Sequence, residues 1–301
     1  MQVSIIIVNY NTQELLRNCL KSVIAQTQDV SYEIIVSDNG SVDGSLEMVR
    51  QEFPDVVLLD NKANLGFGTA NNRGLDVAKG ECIFYLNSDT LLHNNAVKIF
   101  YDYWKAHELE GLGALGCNLL DADGQLSHSY GSFPSAPELF KKMVHHIIAF
   151  YVKNVMKLFR MDISRLRPPP HYEYKTGEVD YVTGADLFLR NSEDARFDET
   201  FFLYFEETDM QLKLAKKGLK RVMIDGPSVM HLIRGGKKQV DDVILEGSFS
   251  MCQSEISKVR YTKKHLSGLV AFFLKLMISL KWLSPYIFRN TRNHFKSLWR
   301  V

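Results

Sequence analysis

VSIIIVNYN, Val3–Asn11, is the stretch on which the fold turns. The run Val3–Val8 is apolar and largely β-branched, which suits a strand covered on both faces inside a parallel sheet. Outward from it, Thr12 stands where a helix N-cap is expected, and Leu15, Leu16, Cys19, Leu20, Val23 and Ile24 then recur at helical spacing. Glu33–Val36 repeats the strand pattern and ends in Ser37-Asp38-Asn39-Gly40. Asp43-Gly44 opens a second helix, and Val56–Leu59 is a third strand. A polar helix around Thr69–Ala78 leads to a fourth, Cys82–Leu86, which ends at Asn87-Ser88-Asp89. This alternation predicts an α/β chain with a parallel sheet and helices on both faces. Ligands of such sheets sit beyond the carboxyl ends of the strands. Asn9-Tyr10, Asp38-Asn39 and Asn87–Asp89 all fall there, so three consecutive strand ends predict one site.

The second half is less regular. Gly113–Leu120 has a strand pattern and Asp121–Gly124 a turn. Leu139–Phe159 is an insertion, basic and amphipathic, with Lys141, Lys142, Lys153 and Lys157 set against Leu139, Phe140, Val144, Ile147, Ile148, Phe150 and Tyr151. Pro168-Pro169-Pro170 stops any helix. Val179–Leu189 resumes a strand pattern, and Phe201–Met210 is aromatic, then acidic.

Charge is segregated. After Glu255 there are ten Lys/Arg and no acidic residue, which leaves 26 Lys/Arg against 35 Asp/Glu in the body. An acidic body argues against nucleic acid as a partner. The four cysteines, Cys19, Cys82, Cys117 and Cys252, form no CxxC pair, so structural thiols are expected rather than disulfides or zinc. No basic leader precedes the first strand, so a secretory signal is not expected and the compartment is the reducing cytoplasm. Leu266–Leu283 is apolar but contains Lys275 and Lys281. Its uninterrupted part is far short of the roughly 20 residues of a spanning helix. Basic residues flank it, with Trp282, Tyr286 and Trp299 interspersed. That composition suits a helix lying on an anionic cytoplasmic leaflet. The alternative is a helix pair packed on the body or on a second copy in a homodimer.

With these residues in place, the chain resembles the family-2 inverting glycosyltransferases of the GT-A fold, nearest to bacterial rhamnosyltransferase-like members. The matching pieces are VSIIIVNYN, EIIVSDNGSVDGS, NLGFGTANNRGL, FYLNSDT, VTGADLFLR, FDETFFLYFEETDMQLKLAKKG and HLIRGG, in family order over roughly residues 3–236. Two departures stand out. The usual Asp-x-Asp is Asn87-Ser88-Asp89 here, and the usual Glu-Asp pair is Glu206-Glu207. The resemblance implies a GT-A nucleotide-diphospho-sugar transferase fold, with a Rossmann-like mixed sheet and a helical C-terminal appendage. It implies a catalytic domain over 1–255, with a nucleotide-binding half to about residue 110 and an acceptor-side half after it. Residues 256–301 then form the basic tail.

The resemblance implies a role for each matching residue, and elementary chemistry says why the residue type suits it. A departing nucleotide diphosphate needs its charge neutralised, which a divalent metal does well, and Mg2+ and Mn2+ favour oxygen ligands. Asp89 is the expected carboxylate ligand, and His231 matches a histidine that binds metal in several relatives. Neutral Asn87 would orient phosphate, ribose or metal-bound water. Asp38 is assigned to the imide N–H of a uracil or thymine ring, which a carboxylate accepts well. Tyr10 would stack on the base. Asn9, Asn64, Asn71 and Ser88 complete the donor set, Gly66 permits close backbone approach and Arg73 could pair with a phosphate. An attacking hydroxyl needs a general base, and the resemblance puts Glu207 in that position, with Glu206 and Asp209 beside it. Gly184 and Asp186 fall on the acceptor side. The resemblance implies inverting transfer of a sugar, L-rhamnose from dTDP-L-rhamnose or else a hexose from a UDP donor. Its acceptor is a glycan or lipid-linked molecule of cell-surface polysaccharide synthesis. The rival is a catalytically silent nucleotide-sugar-binding or scaffolding subunit, against which Asp89 and the Glu206–Asp209 cluster both speak. No G-x-G-x-x-G follows the first strand, so a dehydrogenase is not expected.

Overall fold

In the computed structural model, residues 1–159, 171–232, 249–282 and 296–301 are described. The opening run is β1 (Val3–Asn9), and Ile5, Ile6 and Ile7 have no exposed surface. Both faces of the strand are therefore covered, as its unbroken apolar pattern requires. Next come α1 (Gln13–Gln26), β2 (Tyr32–Asp38), α2 (Ser45–Glu52), β3 (Val57–Asp60), α3 (Phe67–Leu75), β4 (Cys82–Asn87) and the short β5 (Thr90–Leu92). Then α4 (Ala96–Ala106), β6 (Leu112–Cys117) and β7 (Tyr130–Gly131) follow. After the insertion helix α5 (Ala136–Leu158) the chain forms β8 (Gly177–Val179), β9 (Tyr181–Val182) and β10 (Asp186–Arg190). Last come α6 (Glu206–Lys216), β11 (Lys220–Ile224), β12 (Val229–His231), α7 (Phe249–His265) and α8 (Gly268–Trp282).

Eight strands form one sheet in the order β3-β2-β1-β4-β10-β6-β11-β8. β1 to β4 pair in parallel, as their strand–helix alternation predicts, and the direction changes only beyond β4. β10 runs antiparallel to β4 and β6, and β8 antiparallel to β11, so the sheet is the mixed one that the resemblance implies. The chain reverses direction of sheet growth between β1 and β4, and their carboxyl ends therefore flank the switch-point crevice.

Two local expectations are corrected. Val179–Leu189 is not one strand. Asp180 accepts the Phe133 backbone N–H at 2.9 Å and Thr183 donates to Ser129 at 3.0 Å, so β9 pairs with β7 while β10 joins the main sheet. The period-2 pattern continues although the chain changes sheet. Gly113–Leu120 is shorter than expected, ending as β6 at Cys117. Thr12 does stand at the N-cap position of α1, but its side chain makes no capping bond. The Asp43 carboxylate makes one instead, accepting the Gln13 N–H at 2.9 Å. The expected helix stop at Pro168–Pro170 lies outside the described residues, as do Arg234–Gly236, Leu283, Tyr286, Arg289 and Arg292.

The chain forms two compact units. The first, over residues 1–133, 172–202 and 206–232, holds the sheet. The second is helical, over residues 134–159, 171, 203–205, 249–282 and 296–301. Its core is Met143, Met251, Ile256, Val259, Ala271, Leu274, Ile278 and Leu298. Leu203–Phe205 belongs to it, with the Leu203 carbonyl accepting the Ser257 hydroxyl at 2.8 Å and Phe205 against Tyr261. Tyr204 and Phe205 take φ of 68° and 71°, a left-handed conformation uncommon for aromatic residues.

Candidate active site

The carboxyl ends of β2, β1 and β4 are tied together by side chains. Asn9 donates from Nδ2 to Asp38 Oδ2 at 2.7 Å and to Ser41 Oγ at 3.1 Å. Thr12 donates to Asn9 Oδ1 at 2.6 Å, and its hydroxyl lies 3.0 Å from that of Ser88 across the switch point. Asp38 is buried, and its Oδ1 accepts the Ser41 N–H at 2.7 Å. A carboxylate offers about four acceptor positions, so these two bonds leave capacity for a ligand N–H. Tyr10, just past the end of β1, is 48% exposed.

A second layer of amides extends this edge. Asn39 donates to the Gly66 carbonyl at 3.1 Å, and Asn64 Oδ1 accepts the Gly66 N–H at 3.1 Å. Gly66 has φ of 89°, and a Cβ there would lie 2.4 Å from the Phe202 carbonyl oxygen, which instead accepts the Phe67 N–H at 2.9 Å. Glycine is required by both conformation and contact. Asn71 is buried and bonds back to the Phe67 carbonyl at 3.1 Å, whereas Arg73 lies on the exposed face of α3.

Past β4 the chain turns into β5, which pairs with β12 so that His231 stands opposite Thr90. His231 Nε2 lies 3.2 Å from Asp89 Oδ1 and 3.4 Å from Asn87 Nδ2. Asn87 Oδ1 is buried beside them without a hydrogen-bond partner. Residues 144 positions apart in sequence thus meet at one strand end.

The acidic cluster starts α6. Glu206 is buried, and Asp209 is fully buried and ion-paired with Lys213 at 2.8 Å. Glu207 is half-buried. Crowding by the surrounding protein raises its pKa above the ordinary carboxylate value, against the N–H groups of Glu207 and Thr208, which favour the ionised form. A Cβ on Gly184 would stand 3.4 Å from the Phe67 ring and 3.7 Å from Glu207 Cβ. The next carbonyl, that of Ala185, accepts the Asn87 N–H at 3.1 Å. The Gly184-Ala185 turn therefore bonds to the Asn87 end on one side and faces Glu207 on the other.

Asp186 is fully buried, its Oδ2 accepting the Cys117 N–H at 2.8 Å, and burial pushes its pKa up to about 7 against that bond. The cysteines behave as small apolar residues. Cys19, Cys82 and Cys117 are buried and all four are free thiols.

Sequence reasoning missed two residues here. Gln211 is fully buried, its Oε1 accepting the Val182 N–H at 2.9 Å while Nε2 donates to the Val182 carbonyl at 2.8 Å and the Glu207 carbonyl at 3.2 Å. It clamps α6 to β9. Tyr181, on that strand, has its phenol pKa pushed up to about 12 by burial and then by the nearby Glu207 charge.

Comparison with known proteins places this geometry. The Glycosyl transferase family 2 model matches residues 4–115. An uncharacterised glycosyltransferase of Bacillus subtilis, YfnE, is 37% identical over 297 residues, covering 89% of this chain and 74% of its own. The N-acetylglucosaminyl-diphospho-decaprenol L-rhamnosyltransferase of Mycobacterium tuberculosis is 28% identical over 243 residues, 75% of each chain. Among solved structures, Staphylococcus aureus TarS 1–349 in complex with UDP-GlcNAc superposes with a TM-score of 0.55 at 16% identity, over 95% of this chain and 73% of that one, a likeness of fold. Since the YfnE match runs through most of both chains, and the family model spans the strand ends just described, this chain belongs to glycosyltransferase family 2, with the GT-A fold.

Proposed function

We propose that the protein is a metal-dependent, inverting glycosyltransferase that moves a sugar from a nucleotide-diphosphate donor to a glycan or lipid-linked acceptor in cell-surface polysaccharide synthesis. One observation carries the reading. The Gly184-Ala185 turn joins the strand end suited to a diphosphate to the half-buried Glu207, so leaving group and base share one frame. Residues 1–255 would supply the catalytic domain and residues 256–301 the tail, docked peripherally on the cytoplasmic membrane.

Asp38 receives the imide N–H of a pyrimidine base while Tyr10 covers the ring. The amides of Asn9, Asn64, Asn71 and Asn87, the Ser88 hydroxyl, the Gly66 backbone and the Arg73 guanidinium serve the ribose and phosphates. Asp89 and His231 would hold a divalent metal. The fit rests on the 3.2 Å approach of Oδ1 to Nε2 and on the buried, unpartnered Asn87 Oδ1 beside them. Among the described residues no three His, Cys, Asp or Glu converge on one point, so phosphate oxygens would complete the shell, as is common for Mg2+. When bound, such a metal neutralises the departing diphosphate.

Glu207 takes the proton of the acceptor hydroxyl as it attacks the anomeric carbon, with Glu206 and Asp209 setting the charge around it. Gly184 leaves room for the acceptor, and Asp186 supports that turn from inside the sheet. One displacement without a covalent intermediate inverts the anomeric centre. For the sugar we propose L-rhamnose from dTDP-L-rhamnose, on the likeness to the mycobacterial enzyme, with a UDP-hexose as the alternative.

The test separates binding from transfer. Glu207→Gln should keep donor binding in calorimetry and lose transfer by roughly 10²–10⁴-fold, the usual range for a general base. Asp89→Ala and EDTA should each abolish transfer. Near-normal turnover of Glu207→Gln moves the base elsewhere, and full activity in EDTA removes the metal. Because Glu207 must be ionised, and burial holds its pKa above the ordinary carboxylate value, the rate should climb with pH through a correspondingly raised midpoint.

A further inference from the structure

The helical unit carries two apolar faces that no described residue covers. On α5, one stripe faces the unit's core through Met143 and Ile147. A second consists of Val144, Ile148, Tyr151, Val152, Val155 and Phe159, all exposed, with Ile148 at 56%, Val155 at 54% and Phe159 at 69%. At 3.6 residues per turn these six fall within an arc of roughly 100°, one continuous strip along the helix. α8 repeats the arrangement. Ala271, Leu274 and Ile278 are buried, while Leu269, Phe272, Phe273, Leu276 and Leu280 are exposed, again within an arc of roughly 100°. Tyr151, midway along the α5 strip, reaches the Leu280 carbonyl at the end of α8 at 3.5 Å, so the two exposed strips approach each other there. Trp299 borders them, edge-on to Phe272 and donating to the Ser279 hydroxyl at 3.0 Å, with Lys275 over its ring.

In the described residues of the sheet unit the exposed large apolar residues, such as Ile24, Val42, Val57, Val77 and Leu109, are far apart in sequence. A contiguous patch of this kind marks an interaction surface. Charge identifies the occupant. The described residues of the helical unit hold 12 Lys/Arg and two acidic groups, Glu138 and Glu255. A second copy docking symmetrically on this face would bring like charges together. An anionic bilayer matches both the charge and the apolar strips. Neither helix is long and apolar enough to cross a membrane, so a bilayer on this face would meet both lengthwise.

We propose that α5 and α8 together form one lipid-docking face, with the apolar strips of both helices seated among the acyl chains of an anionic leaflet. This deepens the peripheral-membrane reading and rests on it for the charge of the lipid, but it adds a second helix, far from the tail in sequence, to the contact.

Hydrogen exchange of the full chain with phosphatidylserine-containing vesicles tests it. Residues 144–159 and 268–282 should both gain protection, at least tenfold in exchange rate, and neither should do so with phosphatidylcholine alone. In co-sedimentation, Val155→Asp/Phe159→Asp should weaken binding to the anionic vesicles at least tenfold, with helicity kept by circular dichroism. The exchange measurement needs no variant, so it decides the matter if the double variant misfolds. Protection confined to 268–282 overturns the proposal while leaving the tail reading intact. No binding to either vesicle, or a stable dimer whose formation protects 144–159 without lipid, overturns both. Loss of transfer with vesicle binding intact would fall on the catalytic reading alone.

Discussion

Asp186 is a carboxyl placed where an ionised one is costly. It has no exposed surface, and one backbone N–H, that of Cys117, is its main stabiliser, so burial dominates and its pKa stands at about 7. The folded protein therefore binds a proton at this site, between the ordinary carboxylate pKa and about 7, that the unfolded chain has released. Linkage gives the sign: stability from this group is full at low pH and declines as pH rises through that window. Asp186→Asn keeps an acceptor for the Cys117 N–H and removes the titration. Urea unfolding should find the variant more stable than wild type at pH 8, by up to about 4 kcal/mol for three pKa units, with the gap closing towards pH 4. A pH-independent difference would mean that Asp186 is neutral, or charged, throughout. At this scale the sequence announced Asp38, Asn87 and Asp89, because each stands within three residues of the end of an apolar run that had to be a buried strand. It did not reveal that Asp186 is buried, since a carboxylate inside an alternating pattern normally marks the solvent face.

The acidic end of α6 is held by an element-to-element bond rather than by its own sequence. Gln211 completes a side-chain bridge to both polar groups of Val182, doing for β9 what a neighbouring strand would do. Gln211→Met preserves length and burial but strands a buried N–H and C=O, each worth about 1–3 kcal/mol when left unmade. The variant should lose a few kcal/mol in urea unfolding and lower kcat for transfer, with little change in donor KM, because the donor-side strand ends are untouched. Gln211→Glu retains the acceptor but not the donor and should fall between. Donor KM rising as steeply as kcat falls would show a general collapse instead. A helical glutamine among Lys213, Lys216 and Lys217 has the composition of a solvated face, so only the β9 strand, 29 residues earlier, distinguishes it. The same reason explains the strand reading over Val179–Leu189. Periodicity records which faces are apolar and not which sheet the chain has joined. Where neighbours in sequence are also neighbours in the sheet, as for β1 to β4, elements were legible to within a few residues.

On the scale of the whole molecule, the two units differ in charge more than the net +1 suggests. The described residues of the sheet unit hold 16 Lys/Arg against 29 Asp/Glu, and those of the helical unit 12 against two. An anionic leaflet therefore attracts one unit and repels the other, whatever their arrangement. Attraction near a charged leaflet is worth about 1 kcal/mol per basic residue and decays within a Debye length, about 10 Å at 0.1 M salt and 3 Å at 1 M. Catalysis inside the crevice depends on bonds at contact distance, which salt screens far less. Salt should thus separate delivery from chemistry. Transfer to an acceptor embedded in phosphatidylserine-containing vesicles should fall at least tenfold between about 0.05 M and about 1 M KCl, tracking release of the protein from the vesicles. Transfer to a short, water-soluble acceptor analogue should change less than about twofold over the same range, since no leaflet is involved. If both activities fell together, the salt would be acting on donor phosphate or metal binding in the site, and the basic unit would have no part in bringing the enzyme to its acceptor.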